Sequence, residues 1–205
     1  MDSIIFDVDG TLWDSTDIVA LAWTDCLNNQ YHIDQTITSA ILKSVFGLPL
    51  ADIAAKLFPE LPEDQQMEVI NACCDEEHRY LLKQCPELYE DLEKMLQILS
   101  EKYPLYIISN CQSGYIEVFL KTTGLSKYFK GHTCNGDTGL SKGANIKKLS
   151  EECNLAAPVY VGDTLGDYNA CLEANVPFVL ANYGFGKVDT PDYTIDCPMD
   201  LTRLF

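Results

Sequence analysis

Short apolar runs alternate with segments of helical periodicity through most of this 205-residue chain. The runs predicted as strands are 3–6, 105–108, 158–161, 177–180 and 193–195. The helical patterns between the later runs are 113–122, 142–153 and 167–174. Runs that are apolar throughout, rather than every second residue, indicate strands buried on both faces. The chain is therefore predicted to be an α/β protein with a parallel sheet and helices on both faces.

One long interval, from about residue 14 to residue 85, interrupts this alternation. It has no convincing strand, and its helical patterns are 17–29, 38–46, 50–57 and 63–83. A helical crossover to the next parallel strand needs only about a dozen residues, so these helices exceed what a connection requires. We predict a core from residues 1–14 and 86–205 and a separate helical domain from residues 15–85. The alternative is that the extra helices simply cover the sheet.

The net charge of −17 restricts the partners of the chain. Phosphate backbones and anionic membranes are bound by Lys and Arg, so neither nucleic acid nor a membrane surface is expected. A small anionic substrate stays possible, because a bound divalent cation reverses the local sign of charge. No run approaches the roughly 20 apolar residues of a membrane span, and the N-terminus has no basic signal start. We predict a cytoplasmic protein, and nothing in the sequence demands more than a monomer.

The nine cysteines are an odd number and contain no C-x-x-C pair. Most of them lie within apolar patterns and are expected to be reduced, buried thiols. The residues assigned to this group are Cys26, Cys73, Cys134, Cys153 and Cys171. With only three histidines, none paired with cysteine at ligand spacing, a soft metal cluster is not expected.

Two carboxylates follow the first apolar run. Asp7 and Asp9 come directly after residues 4–6, and Gly10 then allows a sharp turn away from the strand. Desolvating an isolated carboxylate costs several kcal/mol, so this pair requires a metal or another cation. The same letters are also common in turns, and the meaning of the motif depends on the residues that accompany it.

Polar side chains also follow the next apolar runs. Ser109 and Asn110 end the second one, where they can donate hydrogen bonds to an anion or cap the following helix. Lys142 stands at the predicted start of a later helix. A cation is disfavoured at that end of a helix unless an anion lies nearby, although an exposed lysine is the ordinary alternative.

The last cluster is Asp163 and Asp167, which bracket a glycine-containing turn after the run at 158–161. The carboxyl ends of parallel strands share one edge of the sheet, so all four clusters are expected to converge there. Oxygen ligands without histidine or thiol are typical of a hard cation, and we predict Mg²⁺.

The order and approximate spacing of these residues resemble the haloacid dehalogenase superfamily of phosphotransferases over nearly the full chain. The resemblance rests on Asp7-Val8-Asp9-Gly10-Thr11, Ser109, Lys142 and the pair Asp163 and Asp167. It implies a Rossmann-like core with a small α-helical cap between the first two motifs. Ser15, Gly47-Leu48-Pro49-Leu50 and Tyr183-Gly184-Phe185-Gly186 are similar to the phosphoglycolate phosphatase-like branch. That branch usually has Lys-Pro where this chain has Lys142-Gly143, which should loosen the turn.

The resemblance also implies an activity, the hydrolysis of a small phosphorylated metabolite. Asp7 would be the nucleophile that forms an aspartyl-phosphate. Asp9 would protonate the leaving alcohol and then activate water. The Asp7 carboxylate, the Asp9 carbonyl and Asp163 would hold Mg²⁺.

The remaining roles implied by the resemblance concern the phosphoryl group and its supports. Ser109, Asn110 and Lys142 would bind the transferring oxygens. Asp167 would orient Lys142 or a metal-bound water, and Thr11 would support the first motif.

Several alternatives stay open within the fold. A dehalogenase needs no acid at position 9, so Asp9 argues against that activity. A phosphonatase needs a cap lysine, for which Lys43 and Lys56 are available, but Asp9 again favours phosphate-ester chemistry. A sugar phosphomutase also uses both aspartates, but its bisphosphate intermediate favours a basic cap, and residues 15–85 carry 11 acidic and 4 basic residues. Hydrolysis is preferred, and a non-catalytic phosphate sensor is the alternative outside enzymes. The sequence does not identify the substrate. It also does not show whether the cap residue Lys43 contacts the substrate.

Overall fold

A parallel six-stranded sheet forms the centre of the computed structural model, which describes all residues from Met1 to Phe205. The strand order is β3-β2-β1-β4-β5-β6, and every neighbouring pair is parallel. The strands are β1 (Ser3–Phe6), β2 (Leu105–Ser109), β3 (Phe129–Cys134), β4 (Pro158–Gly162), β5 (Phe178–Ala181) and β6 (Tyr193–Ile195). The predicted α/β class with a Rossmann-like parallel sheet is confirmed.

Ten α-helices surround the sheet or precede its second strand. Those before β2 are α1 (Thr16–Gln30), α2 (Ser39–Val45), α3 (Leu50–Leu57), α4 (Glu63–Leu81) and α5 (Leu92–Ser100). Those after it are α6 (Tyr115–Thr123), α7 (Asn135–Thr138), α8 (Lys142–Glu152), α9 (Leu165–Ala174) and α10 (Leu201–Leu204). None of them combines the length and the apolar composition needed to cross a bilayer.

The three central strands are buried at every position, which explains their continuous apolar sequences. Successive side chains of a strand point to opposite faces of the sheet. In β1, Ile4 and Phe6 therefore join the larger apolar cluster, whereas Ile5 joins a smaller one on the other face. The larger cluster continues into the helices before β2, through residues such as Trp23 and Leu42.

Strand β3 and helix α5 were missed at the sequence level, as were the short helices α7 and α10. Strand β3 is an edge strand whose residues are mostly half-buried, so it has no apolar run to reveal it. Helix α5 does carry a signal, because Leu92, Met95, Leu96 and Leu99 follow helical spacing and are buried.

The cysteine assignments are correct except at one position. Cys26, Cys73, Cys134 and Cys171 are buried, as predicted, but Cys153 is exposed. Cys153 follows the last turn of α8, where the chain leaves the helix at the surface, so its apolar neighbours in the sequence do not imply burial. All nine cysteines are free thiols.

The helices α1 to α4 meet the carboxyl ends of the strands through the loop between α2 and α3. Asn110, which directly follows β2, donates a hydrogen bond from Nδ2 to the Gly47 carbonyl at 2.8 Å. Thr164, just beyond β4, lies beside Gly47, and a Cβ at that glycine would be 3.1 Å from the Thr164 Cγ2. The two chain connections to these helices are neighbours, since Trp13 and Leu88 form an antiparallel bridge.

Candidate active site

The acids of the first motif leave β1 in a turn that depends on glycine. Gly10 has a φ of +79°, in the left-handed region that favours glycine. A Cβ at this position would also collide with the Asp163 carboxylate. The sequence therefore brings the turn after β1 against the turn after β4, and their carboxylates share one pocket.

Asp7, Asp163 and Asp167 form the centre of that pocket. They are all buried, and one oxygen from each lies within 4.8 Å of the others. The Lys142 Nζ donates to Asp7 Oδ1 at 3.0 Å and to Asp167 Oδ1 at 2.5 Å. Lys142 itself is only 4 % exposed, so two anions accompany the cation at the start of α8, as its position predicted.

Opposing effects set the proton affinities in this cluster. Burial raises the pKa of Asp7 to about 7 even though Lys142 lowers it. Burial also raises the pKa of Asp163 to about 8, and the neighbouring carboxylates of Asp167 and Asp7 add to the effect. Desolvation disfavours the charge of Lys142, but Asp167 and Asp7 outweigh it and raise the lysine pKa above its usual value. The site is thus short of positive charge.

One oxygen in the cluster is free for a metal. Asp163 Oδ2 accepts a hydrogen bond from the Phe185 backbone N–H at 2.7 Å, whereas its Oδ1 is buried without any partner. Unpartnered buried acceptors are rare and costly, and a hard cation satisfies such an oxygen. The donors available here are carboxylates, which fit Mg²⁺ better than a soft metal.

Asp9 lies in a different environment from Asp7. Its Oδ1 accepts hydrogen bonds from Ser15 Oγ at 2.7 Å, Tyr115 OH at 2.7 Å and Trp13 Nε1 at 3.1 Å. Burial raises the pKa of Asp9 to about 6, and these three hydrogen bonds hold it below the value that burial alone would produce. Because all three donors reach the same oxygen, Oδ2 stays free to exchange a proton with a ligand.

Both aspartates of the first motif line a cavity of about 40 Å³ between the strand ends and the helices before β2. On the core side, Ser109, Asn110, Gln112 and Tyr115 join them. On the opposite side the wall consists of Trp23, Phe46, Gly47, Leu48, Leu50, Ile53 and Glu77. The cavity therefore has an acidic end and a largely apolar end.

A sequence model of the family described as haloacid dehalogenase-like hydrolase matches residues 4–181. The chain belongs to the haloacid dehalogenase-like hydrolases. This match covers the first acidic motif, the strand-end serine, Lys142 and both later aspartates.

Two curated relatives of this haloacid dehalogenase-like hydrolase carry functional names. A phosphoglycolate phosphatase from Aquifex aeolicus (strain VF5) is 29% identical over 210 residues, covering 98% of this chain and 95% of the relative. The pyrophosphatase PpaX from Anoxybacillus flavithermus (strain DSM 21510 / WK1) is 29% identical over 131 residues, which cover 63% of this chain and 58% of the relative. Among solved structures, a haloacid dehalogenase-like family hydrolase from Streptococcus pneumoniae superposes with a TM-score of 0.86. It is 22% identical and matches 100% of this chain and 98% of its own, which supports the fold.

Most of the predicted site residues of this hydrolase lie together, but two have surroundings that the sequence did not suggest. Asn110 points its amide at the Gly47 carbonyl and so ties the core to the loop after α2. Thr11 is buried and its Oγ1 has no hydrogen-bond partner. Lys43 pairs with Asp14 at 2.6 Å and is absent from the cavity wall.

Sequence reasoning singled out Ser15, which holds Asp9, and the loop Gly47-Leu48-Pro49-Leu50, which lines the apolar end of the cavity. It missed the other residues with these tasks, namely Tyr115, Trp13, Trp23, Gln112 and Glu77. Tyr115 and Trp13 donate hydrogen bonds to Asp9. In the cavity wall, Gln112 donates a hydrogen bond to Glu77. Tyr115 and Gln112 follow Ser109 closely, so their nearness to the strand end was the one signal that could have found them. Glu77 offers no local signal, because helical acids are usually solvated.

The glycine after Lys142 has a packing reason. A Cβ at Gly143 would lie 3.0 Å from the Ala170 carbonyl and 2.5 Å from a Glu173 carboxylate oxygen. Helices α8 and α9 therefore approach closely at this position, and the absence of a side chain allows it.

Proposed function

We propose that the protein is a Mg²⁺-dependent phosphatase that hydrolyses the monoester of a small phosphorylated metabolite through an aspartyl-phosphate. The observation that carries this proposal is the contrast between two aspartates separated by a single residue. Asp7 is paired with the Lys142 cation among buried carboxylates, whereas Asp9 is held through one oxygen by three neutral donors and keeps its other oxygen free of protein donors. Two acids with different environments suit a nucleophile and a proton carrier.

In the first half of the reaction, Asp7 attacks phosphorus and forms an acyl phosphate, while the bond to the alcohol oxygen breaks. Its ion pair with Lys142 favours the ionised form that is needed for attack. Asp9 gives its proton to the departing alcohol oxygen. A pKa of about 6 leaves part of the Asp9 population protonated near neutral pH, which suits a general acid.

In the second half, the ionised Asp9 takes a proton from water, which attacks the phosphorus. The Asp7 carboxylate and inorganic phosphate are then released. Ser109 and Asn110 at the end of β2 and Lys142 at the start of α8 would donate to the phosphoryl oxygens. Asp167 positions Lys142 through their ion pair.

The metal would be held by the Asp7 and Asp163 carboxylates and the Asp9 carbonyl. The fit rests on the unpartnered Asp163 Oδ1 and on an all-oxygen donor set. When bound, Mg²⁺ would supply positive charge that offsets repulsion between the nucleophile and the phosphate.

Residues 15–85 would act as a cap that opens for substrate and closes to exclude water. The position of the cavity supports this, because residues at the strand ends form one side of its wall and residues of the helices before β2 form the other. Action on a soluble metabolite, as a monomer in the cytoplasm, completes the proposal.

The names of the two curated relatives support phosphate chemistry in general rather than one substrate. A sugar phosphomutase is disfavoured because no Lys, Arg or His lines the cavity to hold a second phosphate. A phosphate sensor is disfavoured because every carboxylate that turnover would need is present.

The test uses p-nitrophenyl phosphate with and without Mg²⁺, for the wild type and for Asp7→Asn. We expect Mg²⁺-dependent turnover that falls by at least about a thousandfold in Asp7→Asn, since the amide is a poor nucleophile. Asp17→Asn is the matched control, because Asp17 is an exposed aspartate near the start of α1. Turnover of Asp7→Asn above a few per cent of the wild type would exclude Asp7 as the nucleophile, and no turnover of the wild type with any divalent metal would favour a sensor.

A further inference from the structure

Glu77 is the one buried acidic or basic side chain among the helices α1 to α4. It lies in the last turns of α4, is only 3 % exposed, and lines the cavity opposite Asp7 and Asp9. The mechanism proposed above gives it no task. A buried carboxyl group costs free energy to keep, and groups of this kind are concentrated at functional sites.

Two neutral donors orient the Glu77 carboxyl group. Trp23 Nε1 donates to Oε2 at 2.6 Å, and Gln112 Nε2 donates to Oε1. A carboxylate has about four acceptor positions, so each oxygen keeps one that can receive a hydrogen bond from the cavity. Neither donor is a cation, and the negative charge of an ionised Glu77 is therefore unpaired.

The wall around Glu77 is apolar and lacks positive charge. Phe46 and Trp23 pack edge to face with ring centroids 6.3 Å apart, and the remaining neighbours from the helices before β2 are aliphatic side chains and Gly47. Lys43 is engaged by Asp14 and Arg79 by Glu76, and neither lines the cavity. His78 lies 3.1 Å from Gln112 Nε2 through its own Nε2, and it does not line the cavity either. A second anion placed here would find no counter-charge and would face an acid.

The position of this wall relative to Asp9 assigns it to the leaving group. Tyr115 donates to Asp9 and lines the same cavity as Glu77. If Asp9 protonates the leaving oxygen, the rest of the alcohol extends into the cavity toward Glu77. This step rests on the proposed phosphatase function.

We propose that Glu77 is a specificity-determining residue that selects phosphate monoesters of small alcohols carrying a second hydrogen-bond donor, an ammonium or hydroxyl group. Esters of carboxylate-bearing alcohols, phosphoglycolate among them, are rejected by the same group. The aromatic faces of Trp23 and Phe46 suit the carbon atoms next to an ammonium group. The small size of the cavity favours a short alcohol over a large one.

Protonation of Glu77 does not reverse this preference. Burial raises the pKa of Glu77 to about 8, although the hydrogen bonds from Gln112 and Trp23 lower it. A protonated Glu77 still accepts a hydrogen bond from a hydroxyl, and an approaching ammonium group favours its ionisation. Toward a carboxylate the protonated form offers one donor but no positive charge.

The experiment compares kcat/KM for O-phosphoethanolamine, glycerol 3-phosphate and phosphoglycolate in the wild type and in Glu77→Gln. We expect the wild type to prefer both donor-bearing esters to phosphoglycolate by about tenfold to a hundredfold, the effect of one charged hydrogen bond. In Glu77→Gln the preference for O-phosphoethanolamine over phosphoglycolate should fall by a similar factor, mainly through KM. Asp75→Asn is the matched control, since it removes an exposed acid two residues away on α4 and should leave the three ratios unchanged.

A wild-type preference for phosphoglycolate, or an unchanged ratio in a folded Glu77→Gln, would overturn the inference. If Glu77→Gln does not fold, Glu77→Asp replaces it. This variant keeps the charge but retracts it by one methylene, so it should keep the order of substrates while raising KM for the donor-bearing esters. Parallel assays with p-nitrophenyl phosphate separate the two hypotheses. Absence of turnover in the wild type contradicts the phosphatase function itself, whereas aryl phosphate turnover with the wrong ratio contradicts only the role of Glu77.

Discussion

The interaction between Lys142 and its two carboxylates should dominate the stability of the site. Lys142→Met removes the only cation within hydrogen-bond distance of Asp7 and Asp167 and keeps most of the side-chain volume. Removing one partner from a buried ion pair costs about 3–5 kcal/mol, because the other charge stays buried and uncompensated. We therefore expect the free energy of unfolding to fall by about this amount at pH 8.5.

The loss should be smaller at lower pH, and the sign follows from linkage. A buried acid whose folded pKa is raised destabilises the protein as pH rises above its unfolded pKa, because the folded state then holds more protons. Asp7 already has a pKa raised from 3.8 to about 7, and without Lys142 it must rise further. The cost of the substitution therefore grows above pH 7, by up to about 1.4 kcal/mol per pH unit for one proton, or about 2 kcal/mol by pH 8.5. Lys142 adds no pH dependence of its own in this range, since its raised pKa keeps it charged below 10.5.

Urea unfolding in EDTA, followed by the fluorescence of the buried Trp13 and Trp23, measures this effect at pH 6 and pH 8.5. EDTA removes divalent ions that would otherwise stabilise the folded state. Lys147→Met is the matched control. This lysine also belongs to α8, but it is about half exposed, and its ion pair with Glu173 is long, with 3.8 Å between Nζ and Oε1. A loss below 1 kcal/mol at pH 8.5, or the same loss at both pH values, would refute the electrostatic account of this cluster.

Two further predictions concern Asp163 and Asp9. In metal-free buffer Asp163→Asn should be more stable than the wild type near pH 8, since burial and the neighbouring acids disfavour the Asp163 charge. It should also lose most of the stabilisation by Mg²⁺, which is about 2.7 kcal/mol for the wild type at 100 times the dissociation constant. Thermal unfolding with a Mg²⁺ titration measures both, and equal Mg²⁺ stabilisation of the two proteins would remove Asp163 from the metal site. Asp9→Asn should lower kcat by at least about a hundredfold for alkyl phosphates and less for p-nitrophenyl phosphate in the phosphorylation step, because nitrophenolate leaves without a proton. Single-turnover kinetics with both ester types provide the comparison, and equal losses would argue against proton transfer to the leaving group.

The strands of this protein could be predicted from the sequence where they are completely buried. Residues of β1, β2 and β4 are covered on both faces, so hydrophobicity alone marks them. The edge strand β3 was not found, because its half-buried sequence FKGHTC contains no apolar run. The convergence of the polar groups at the strand ends could also be predicted, because a parallel sheet gathers the carboxyl ends of its strands at one edge.

The environments of the acidic side chains could not be predicted from the sequence. That Asp9 is held by Tyr115, 106 positions away in the sequence, follows only from the packing of α6 beside the first motif. The burial of Glu77 was likewise hidden, because periodicity places it on a face of α4 but does not say what covers that face.

The class of fold, the edge of the sheet that gathers the polar residues, and the kinds of ligand atom offered there could all be predicted from the amino-acid sequence. These properties depend on local patterns: apolar runs, turn glycines and the order of charged residues. Three facts could be learned only from the packed structure: which oxygen of Asp163 lacks a partner, which donors hold Asp9, and which acid lines the apolar end of the cavity. Such facts depend on desolvation and on contacts between distant segments, and neither is encoded at any single position of the chain.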